Sequence, residues 1–146
     1  MADLEHGIAD AIAAGCEHAR RLGSLLEDEF KALSTQDLPG FESLQASKEQ
    51  TLAALADLVQ RLTAAVGVPH APAGLADASQ WDDFQLLISN CREAHRRNDI
   101  LIRARLEAIR STLLVLQSSE SSSSVEVYDR LGKMSGYRRG RGYEEV

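Results

Sequence analysis

Residues 22–58, LGSLLEDEFKALSTQDLPGFESLQASKEQTLAALADL, contain two stretches of periodic apolar residues separated by a short break. On both sides of the break, apolar residues recur every three or four positions, which is the spacing of one face of a helix. Within the break, Asp37 can cap the N-terminus of the second helix, and Pro39 is tolerated in its first turn. A short link between two long amphipathic helices favours an antiparallel pair.

The sequence upstream, from Leu4 to Leu33, predicts the first helix. Its apolar residues fall on one broad stripe with charged residues opposite: Ile8, Ile12, Ala19, Leu22, Leu26 and Leu33. A ridge of small residues repeats every four positions: Gly7, Ala11, Gly15, Ala19 and Gly23. Glycine inside a helix costs about 1 kcal/mol relative to alanine. The ridge therefore indicates tight packing of another helix against the first one.

The second helix carries an apolar stripe that one charged residue interrupts. The stripe consists of Phe41, Leu44, Leu52, Leu55, Val59, Leu62 and Val66. Lys48 falls in the middle of this series. We expect Lys48 at the edge of the stripe, with its aliphatic stem on the apolar surface and its ammonium group in water.

A proline- and glycine-containing segment, residues 67–79, predicts a loop before the third helix, with Asp77 or Ser79 as its cap. In the third helix, apolar residues keep close to a heptad spacing: Trp81, Phe84, Ile88, Cys91, Ile102, Ile109 and Leu116. Polar residues occupy matching positions of the same series: His95, Asn98, Arg105 and Thr112. The third helix is therefore predicted to have apolar ends and a polar middle.

Six of the seven residues from Ser118 to Ser124 are serine, and we expect this run to end the third helix. The sequence thus predicts an all-α fold, an elongated bundle of three long antiparallel helices with a flexible C-terminal tail. Residues 1–117 would form the bundle, and residues 118–146 would form the tail. The tail nevertheless carries apolar residues at i, i+4 and i+7 spacing, which could form one face of a short helix on binding: Val127, Leu131 and Met134.

Composition and motifs argue against several classes of function. The net charge of −6 falls within residues 1–117, and an acidic protein is a poor general binder of nucleic acid. The basic segment YRRGRGY, residues 137–143, occurs once and is followed by two glutamates. No stretch approaches the roughly 20 apolar residues of a membrane span, and the N-terminus lacks the pattern of a signal peptide. We therefore expect a cytoplasmic protein that inserts into no membrane.

The residues that could carry chemistry do not converge in the sequence. Cys91 and His95 share a helix face, but a zinc site needs three or four ligands, which the spacing does not supply. No nucleophile motif and no phosphate-binding glycine loop is present. We predict no catalytic activity, no metal and no cofactor.

The third helix and the tail carry the most specific pattern in the chain. The stretch CREAHRRNDILIRARLEAIRSTLLVLQ, residues 91–117, a serine-rich break, and VYDRLGK, residues 127–133, together resemble the FlgN family of flagellar export chaperones. Residues 22–58 resemble the helix–break–helix of the same family, including the lysine before the second apolar run. His95 and Asp99 depart from the family pattern, which has asparagine and glycine at these positions.

This resemblance implies a bacterial cytoplasmic chaperone that binds hook-associated proteins, the subunits of the hook–filament junction. It would prevent their premature assembly and deliver them to the export gate and ATPase components of the flagellar type III export apparatus. The client's terminal amphipathic helix would bind the tail and the adjoining end of the third helix, at Leu113, Leu116, Val127, Tyr128, Leu131 and Met134. The resemblance also implies that Tyr128 docks at the export gate. The alternative is a structural coiled-coil scaffold or self-assembling protein, and a homodimer is compatible with either function.

Overall fold

The computed structural model describes residues 2–66 and 78–141 of the chain, with side chains described at residues 6–65 and 78–120. These residues form three helices: α1 (Ala2–Thr35), α2 (Leu38–Val66) and α3 (Ala78–Arg141). The predicted all-α bundle is confirmed. The chain divides into two compact units, Met1–Ile102 and Arg103–Val146, and the core of the bundle lies in the first.

Contacts between side chains give the directions of the three helices. Lys48 meets Glu29, so the start of α2 lies beside the end of α1 and the two helices run antiparallel. Along α3, Phe84 lies against Gly15 and Asn98 bonds to the Leu26 carbonyl, so α3 runs parallel to α1. The bundle is therefore up–down–up, with successive helices antiparallel.

The core of the bundle follows the apolar stripe predicted for α1, where Ile12, Ala19, Leu22 and Leu26 are buried. The stripe of α2 is rotated from its predicted position, because Leu58 is buried whereas Leu52 and Val59 are exposed. Three helices cannot enclose every apolar position of a broad stripe, and the residues on its outer edge stay open to solvent. The core cluster consists of Ile12, Cys16, Leu22, Leu26, Leu55, Leu58, Leu62, Phe84 and Cys91.

The ridge of small residues on α1 has its clearest role at Gly15. A Cβ atom at Gly15 would lie 2.8 Å from Phe84 Cε2 and 3.2 Å from Leu58 Cδ2. Only glycine therefore lets α2 and α3 approach α1 this closely at that position. Gly23 faces Cys91 Sγ at an ordinary distance of 3.8 Å, and nothing lies within 4 Å of Gly7. The predicted close approach is confirmed at one position of the ridge and is not a property of all of it.

The link between α1 and α2 consists of two residues, Gln36 and Asp37. Gln36 has a φ of 58°, in the left-handed region that usually favours glycine. The amide N–H of Asp37 donates to the Ala32 carbonyl at 2.9 Å, which closes the last turn of α1 in a Schellman arrangement. The Asp37 carboxylate accepts from the Gly40 N–H at 3.0 Å, so the predicted cap of α2 is confirmed.

The end of α3 differs from the sequence-based expectation, whereas its start at Ala78 leaves the predicted Asp77 cap untested. Asp77 lies outside the described residues, and Ser79 is the second residue of the helix. The serine run does not end α3, which continues to Arg141. Serine is only roughly 0.5 kcal/mol less favourable than alanine in a helix, and its hydroxyl can bond within the helix. Ser118 Oγ and Ser119 Oγ donate to carbonyls three residues earlier, at 2.9 and 2.8 Å.

The mobility predicted for residues 118–146, and the functional division after residue 117, concern the free chain in solution. The helical backbone of α3 does not test either of them, and both stay predictions.

Candidate functional site

A layer of polar side chains crosses the interior of the bundle. Its centre is the carboxylate of Glu29, a residue that has no exposed surface. Glu29 Oε2 accepts from Lys48 Nζ at 2.6 Å and from Gln45 Nε2 at 3.3 Å. Asn98 Nδ2 donates to Glu29 Oε1 at 3.2 Å and to the Leu26 carbonyl at 2.8 Å. This polar layer therefore ties all three helices to one carboxylate.

The position of Lys48 corrects the expectation of an ammonium group in water. The Lys48 and Glu29 side chains are 11% and 1% exposed, so their ion pair is almost fully inside the protein. The lysine falls within the apolar stripe because its partner is on the facing helix, 19 residues earlier in the chain.

Arg97 holds the same end of the bundle together at the surface. Its guanidinium donates to Glu27 at 2.9 Å and lies 4.0 Å from the centre of the Phe30 ring. Both partners belong to α1, so Arg97 reinforces the α1–α3 contact that Asn98 makes inside.

The polar layer has the features of a structural element. Among the described residues, every buried side-chain nitrogen or oxygen has a hydrogen-bond partner. The buried Glu29 carboxylate already accepts three hydrogen bonds from within the protein, from Lys48, Gln45 and Asn98. The layer consequently stabilises one arrangement of the helices.

The two cysteines are buried among apolar side chains. Burial raises the pKa of the Cys16 thiol. Burial likewise raises the pKa of Cys91, against a smaller lowering by the backbone hydrogen bond from Gly23. Cys91 Sγ also donates to the Ala19 carbonyl at 3.2 Å. Neither thiol has the low pKa and exposure of a reactive cysteine.

Neither a cluster for a metal nor a segment for a membrane is found in the part of the chain that the structure describes. No group of three or more His, Cys, Asp or Glu side chains there is placed to hold a metal ion. No described helix combines the length and the hydropathy that a membrane-spanning segment requires.

An exposed apolar stripe runs along the second half of the described part of α3. We call it the apolar α3 face, and its residues are Leu106, Ile109, Leu113 and Leu116. They are 48–57% exposed and are spaced three, four and three residues apart, so they lie on one side of the helix. Leu114 and Val115 are each 66% exposed beside this stripe. Such a run of large exposed apolar side chains is typical of a surface that binds another protein.

Two of the six predicted client-binding residues are described, and both belong to the apolar α3 face. Leu113 and Leu116 are 52% and 55% exposed. The other four lie within the helical backbone of α3, in the part whose side chains the structure does not describe: Val127, Tyr128, Leu131 and Met134. The role of these four residues stays a prediction.

Sequence reasoning missed two residues of the apolar α3 face. Ile109 is part of the heptad-spaced series of α3 but is not among the predicted client-binding residues, and Leu106 belongs to neither set. The signal was present in the four-residue run LLVL at residues 113–116, which has more apolar residues than one buried stripe can use. Ile109 and Leu116 continue the seven-residue series of Trp81, Ile88 and Ile102, whose side chains are partly buried, but both are themselves exposed.

An all-α bundle whose longest helix presents an exposed apolar face has the features of a helical protein-binding module. The sequence model of the family described as FlgN protein matches residues 1–136. The chain belongs to the FlgN family, a family of flagellar export chaperones. No curated protein and no solved structure showed a significant match to the chain.

Proposed function

We propose that this protein is a cytoplasmic chaperone for hook-associated proteins, the subunits of the hook–filament junction, and that it binds a terminal amphipathic helix of its client. It keeps the client from assembling early and delivers it to the export gate and ATPase components of the type III export apparatus. The observation that carries the proposal is the apolar α3 face, within the region that the family match covers. A client helix that is amphipathic would bury its own apolar side against this face.

The size of the effect follows from the exposed side chains. Burying a large apolar side chain contributes about 1.5–3 kcal/mol before ordering costs. Leu113 and Leu116 are each roughly half exposed in the free protein, so each has about half of that contribution left to gain on binding. Loss of both should weaken binding about tenfold or more, since each 1.4 kcal/mol corresponds to a factor of about ten.

The test is the affinity of a purified hook-associated protein for the double variant Leu113→Ser with Leu116→Ser, measured by isothermal titration calorimetry. The matched control is the double variant Leu86→Ser with Ile100→Ser. These two leucine-sized residues of α3 lie outside the apolar α3 face and are 61% and 60% exposed. We expect at least tenfold weaker binding for the first variant, unchanged binding for the control, and the same far-ultraviolet circular dichroism for both. Equal affinities of the two variants would refute the proposal.

The tail residues form a second arm of the same experiment. Leu131→Ala with Met134→Ala should weaken client binding, whereas Tyr128→Ala should reduce export more than it reduces binding, because Tyr128 is proposed to dock at the export gate. Full client affinity in a chain that ends at Gln117 would exclude the tail from the binding site.

The spacing of the apolar α3 face also suits a second function. Apolar residues three and four positions apart form the seam of a coiled coil, so a second copy of the chain could cover this face in a self-assembling scaffold. Sedimentation velocity distinguishes the two functions. A scaffold forms concentration-dependent oligomers that the Leu113→Ser, Leu116→Ser variant abolishes, whereas a chaperone without client gives the same sedimentation coefficient for both proteins.

A further inference from the structure

A groove of about 730 Å³ opens between α2 and α3 in the first compact unit, and residues of α1 also line it. Its floor and walls are mainly apolar, and we call it the α2–α3 groove. The principal apolar residues that line it are Leu22 and Leu26 of α1, Leu52 and Val59 of α2, and Ile88 and Cys91 of α3.

Two residues of this groove are open to solvent although the sequence pattern places them in a core. Leu52 and Val59 are 41% and 43% exposed, and both belong to the apolar stripe of α2. They are seven residues apart, so they lie on one side of α2, facing the groove. A further helix laid along the groove would cover them in the way that a fourth helix completes a bundle.

The charge along the groove indicates the kind of helix that fits. On the α3 side, Arg92 and Arg96 line the groove one turn apart, and both are exposed. Neither guanidinium has an ion-pair partner among the described residues. On the α2 side of the groove, Ala56 and Gln60 are uncharged. Lys48, which also lines the groove, is paired with the buried Glu29. Asp99, at the far end of the α3 lining, is the one acidic residue among the described residues that line the groove. The groove thus has one basic edge on a chain whose net charge is −6.

We propose that the α2–α3 groove binds an amphipathic helix of a partner protein, with the apolar side on Leu52 and Val59 and with acidic residues along the edge that faces Arg92 and Arg96. The α3 residues that line the groove extend from Ile88 to Asp99, about 16 Å or three helical turns. The bound segment therefore has about three turns. Charge complementarity on one edge only also fixes which way round the helix lies in the groove.

This site is separate from the apolar α3 face, because all the groove-lining residues belong to the first compact unit. Its test therefore uses a probe that does not depend on the identity of the client. The probe is a fluorescent 15-residue designed peptide with leucines at i, i+3, i+4, i+7 and glutamates along one flank. A second peptide carries lysines in place of the glutamates.

We expect the full-length protein to bind the glutamate peptide with micromolar affinity by fluorescence anisotropy, and the lysine peptide at least tenfold more weakly. Arg92→Glu with Arg96→Glu should reverse this preference, and Val59→Asp should weaken the glutamate peptide at least tenfold. The matched control is Arg21→Glu with Arg110→Glu, which makes the same charge change at two exposed arginines outside the groove. It should leave the preference unchanged.

Circular dichroism of each variant separates loss of the groove from loss of the fold. If Val59→Asp unfolds, the arginine pair, which is exposed, still decides the result. Three outcomes would overturn the proposal. The glutamate peptide does not bind, both peptides bind equally, or the two pairs of arginine substitutions have equal effects. Concentration-dependent dimerisation that Val59→Asp abolishes would assign the groove to a second copy and would also overturn it. The Leu113→Ser, Leu116→Ser variant should bind the peptide normally, so a failure here is distinguishable from a failure of the proposed function.

Discussion

At the scale of single residues, the buried Glu29–Lys48 ion pair is the least expected feature of this bundle. Taking two charges out of water costs several kcal/mol per ion, and mutual attraction offsets this only when the remaining donors and acceptors are satisfied. Gln45 and Asn98 complete the coordination of the Glu29 carboxylate. Removal of one partner would therefore leave an unpaired charge inside the protein.

Lys48→Met should lower the free energy of unfolding by about 3–5 kcal/mol, because Glu29 would lose its cation while remaining buried. Urea unfolding at pH 7 measures this change. The control is Lys31→Met, since the Lys31–Asp28 pair is exposed and its atoms are 3.5 Å apart. An exposed pair contributes at most about 1 kcal/mol.

The double variant Glu29→Leu with Lys48→Met should recover part of the loss, because no charge is then left unpaired. Equal effects of Lys48→Met and Lys31→Met would show that the buried pair is not the stabilising contact described above.

At the scale of elements, the α1–α2 link joins two long helices through two residues and makes hydrogen bonds at both helix ends. Its one conformational cost is Gln36, whose φ of 58° places a residue with a Cβ in the left-handed region. The Gln36 side chain is exposed, so it gains no packing in return.

Gln36→Gly should raise the free energy of unfolding by about 0.5–1 kcal/mol, because glycine adopts the left-handed conformation without steric cost. The same substitution at Gln50, which is exposed in the interior of α2, should lower it by about 1 kcal/mol. Thermal and urea unfolding of both variants measure the two changes in the free energy of unfolding, which should have opposite signs. Destabilisation by glycine at both positions would mean that the link is not under strain in solution.

At the scale of the whole molecule, both cysteines report on the integrity of the bundle, because each lies in the shared core of the helices. Their pKa values are raised in the folded protein. A group with a raised folded pKa stabilises the fold fully below its unfolded pKa, which is about 8.5 for a thiol. That contribution is lost as pH rises toward the folded pKa, since the unfolded chain then releases protons that the folded chain retains.

The free energy of unfolding should therefore fall as pH rises above about 8.5, and part of this fall should be absent from the variant Cys16→Ala with Cys91→Ala. Urea unfolding across this pH range measures both slopes, and comparison with the variant removes the contribution of every other group. Identical slopes for the two proteins would exclude the thiols as the source.

Much of the fold could be predicted from the sequence because the apolar residues of α1 have one clear helical period. Four of the six residues of the predicted α1 stripe are buried, and Asp37 caps α2 as predicted. The partner of Lys48 could not be predicted, because pairing across helices depends on their alignment, which periodicity does not specify. The predicted end of α3 was too early, because serine disfavours a helix only weakly. A proline would have ended the helix, but none follows the serine run.

For the candidate site, the sequence located Leu113 and Leu116 but did not separate exposed apolar positions from buried ones. A heptad pattern looks the same whether its seam is covered by the same chain or by another one. For this reason the heptad spacing of Ile109 did not show that this residue is exposed, and the exposure of Leu52 and Val59 in the α2–α3 groove could not be predicted.

The polar layer also determines which of several similar helix alignments the chain adopts. A repeating apolar pattern tolerates a slip of one heptad, about 10 Å along the helix axis, with little change in buried area. Such a slip of α3 along α1 would replace Asn98 with Cys91 or Arg105 beside Leu26, and the present hydrogen bonds of Glu29 would be lost. It would also bring Phe84 against Ile8 or Leu22 in place of Gly15, the position without a Cβ. The Glu29 carboxylate and Gly15, 14 residues before it on α1, thus allow only one register of α3 along α1.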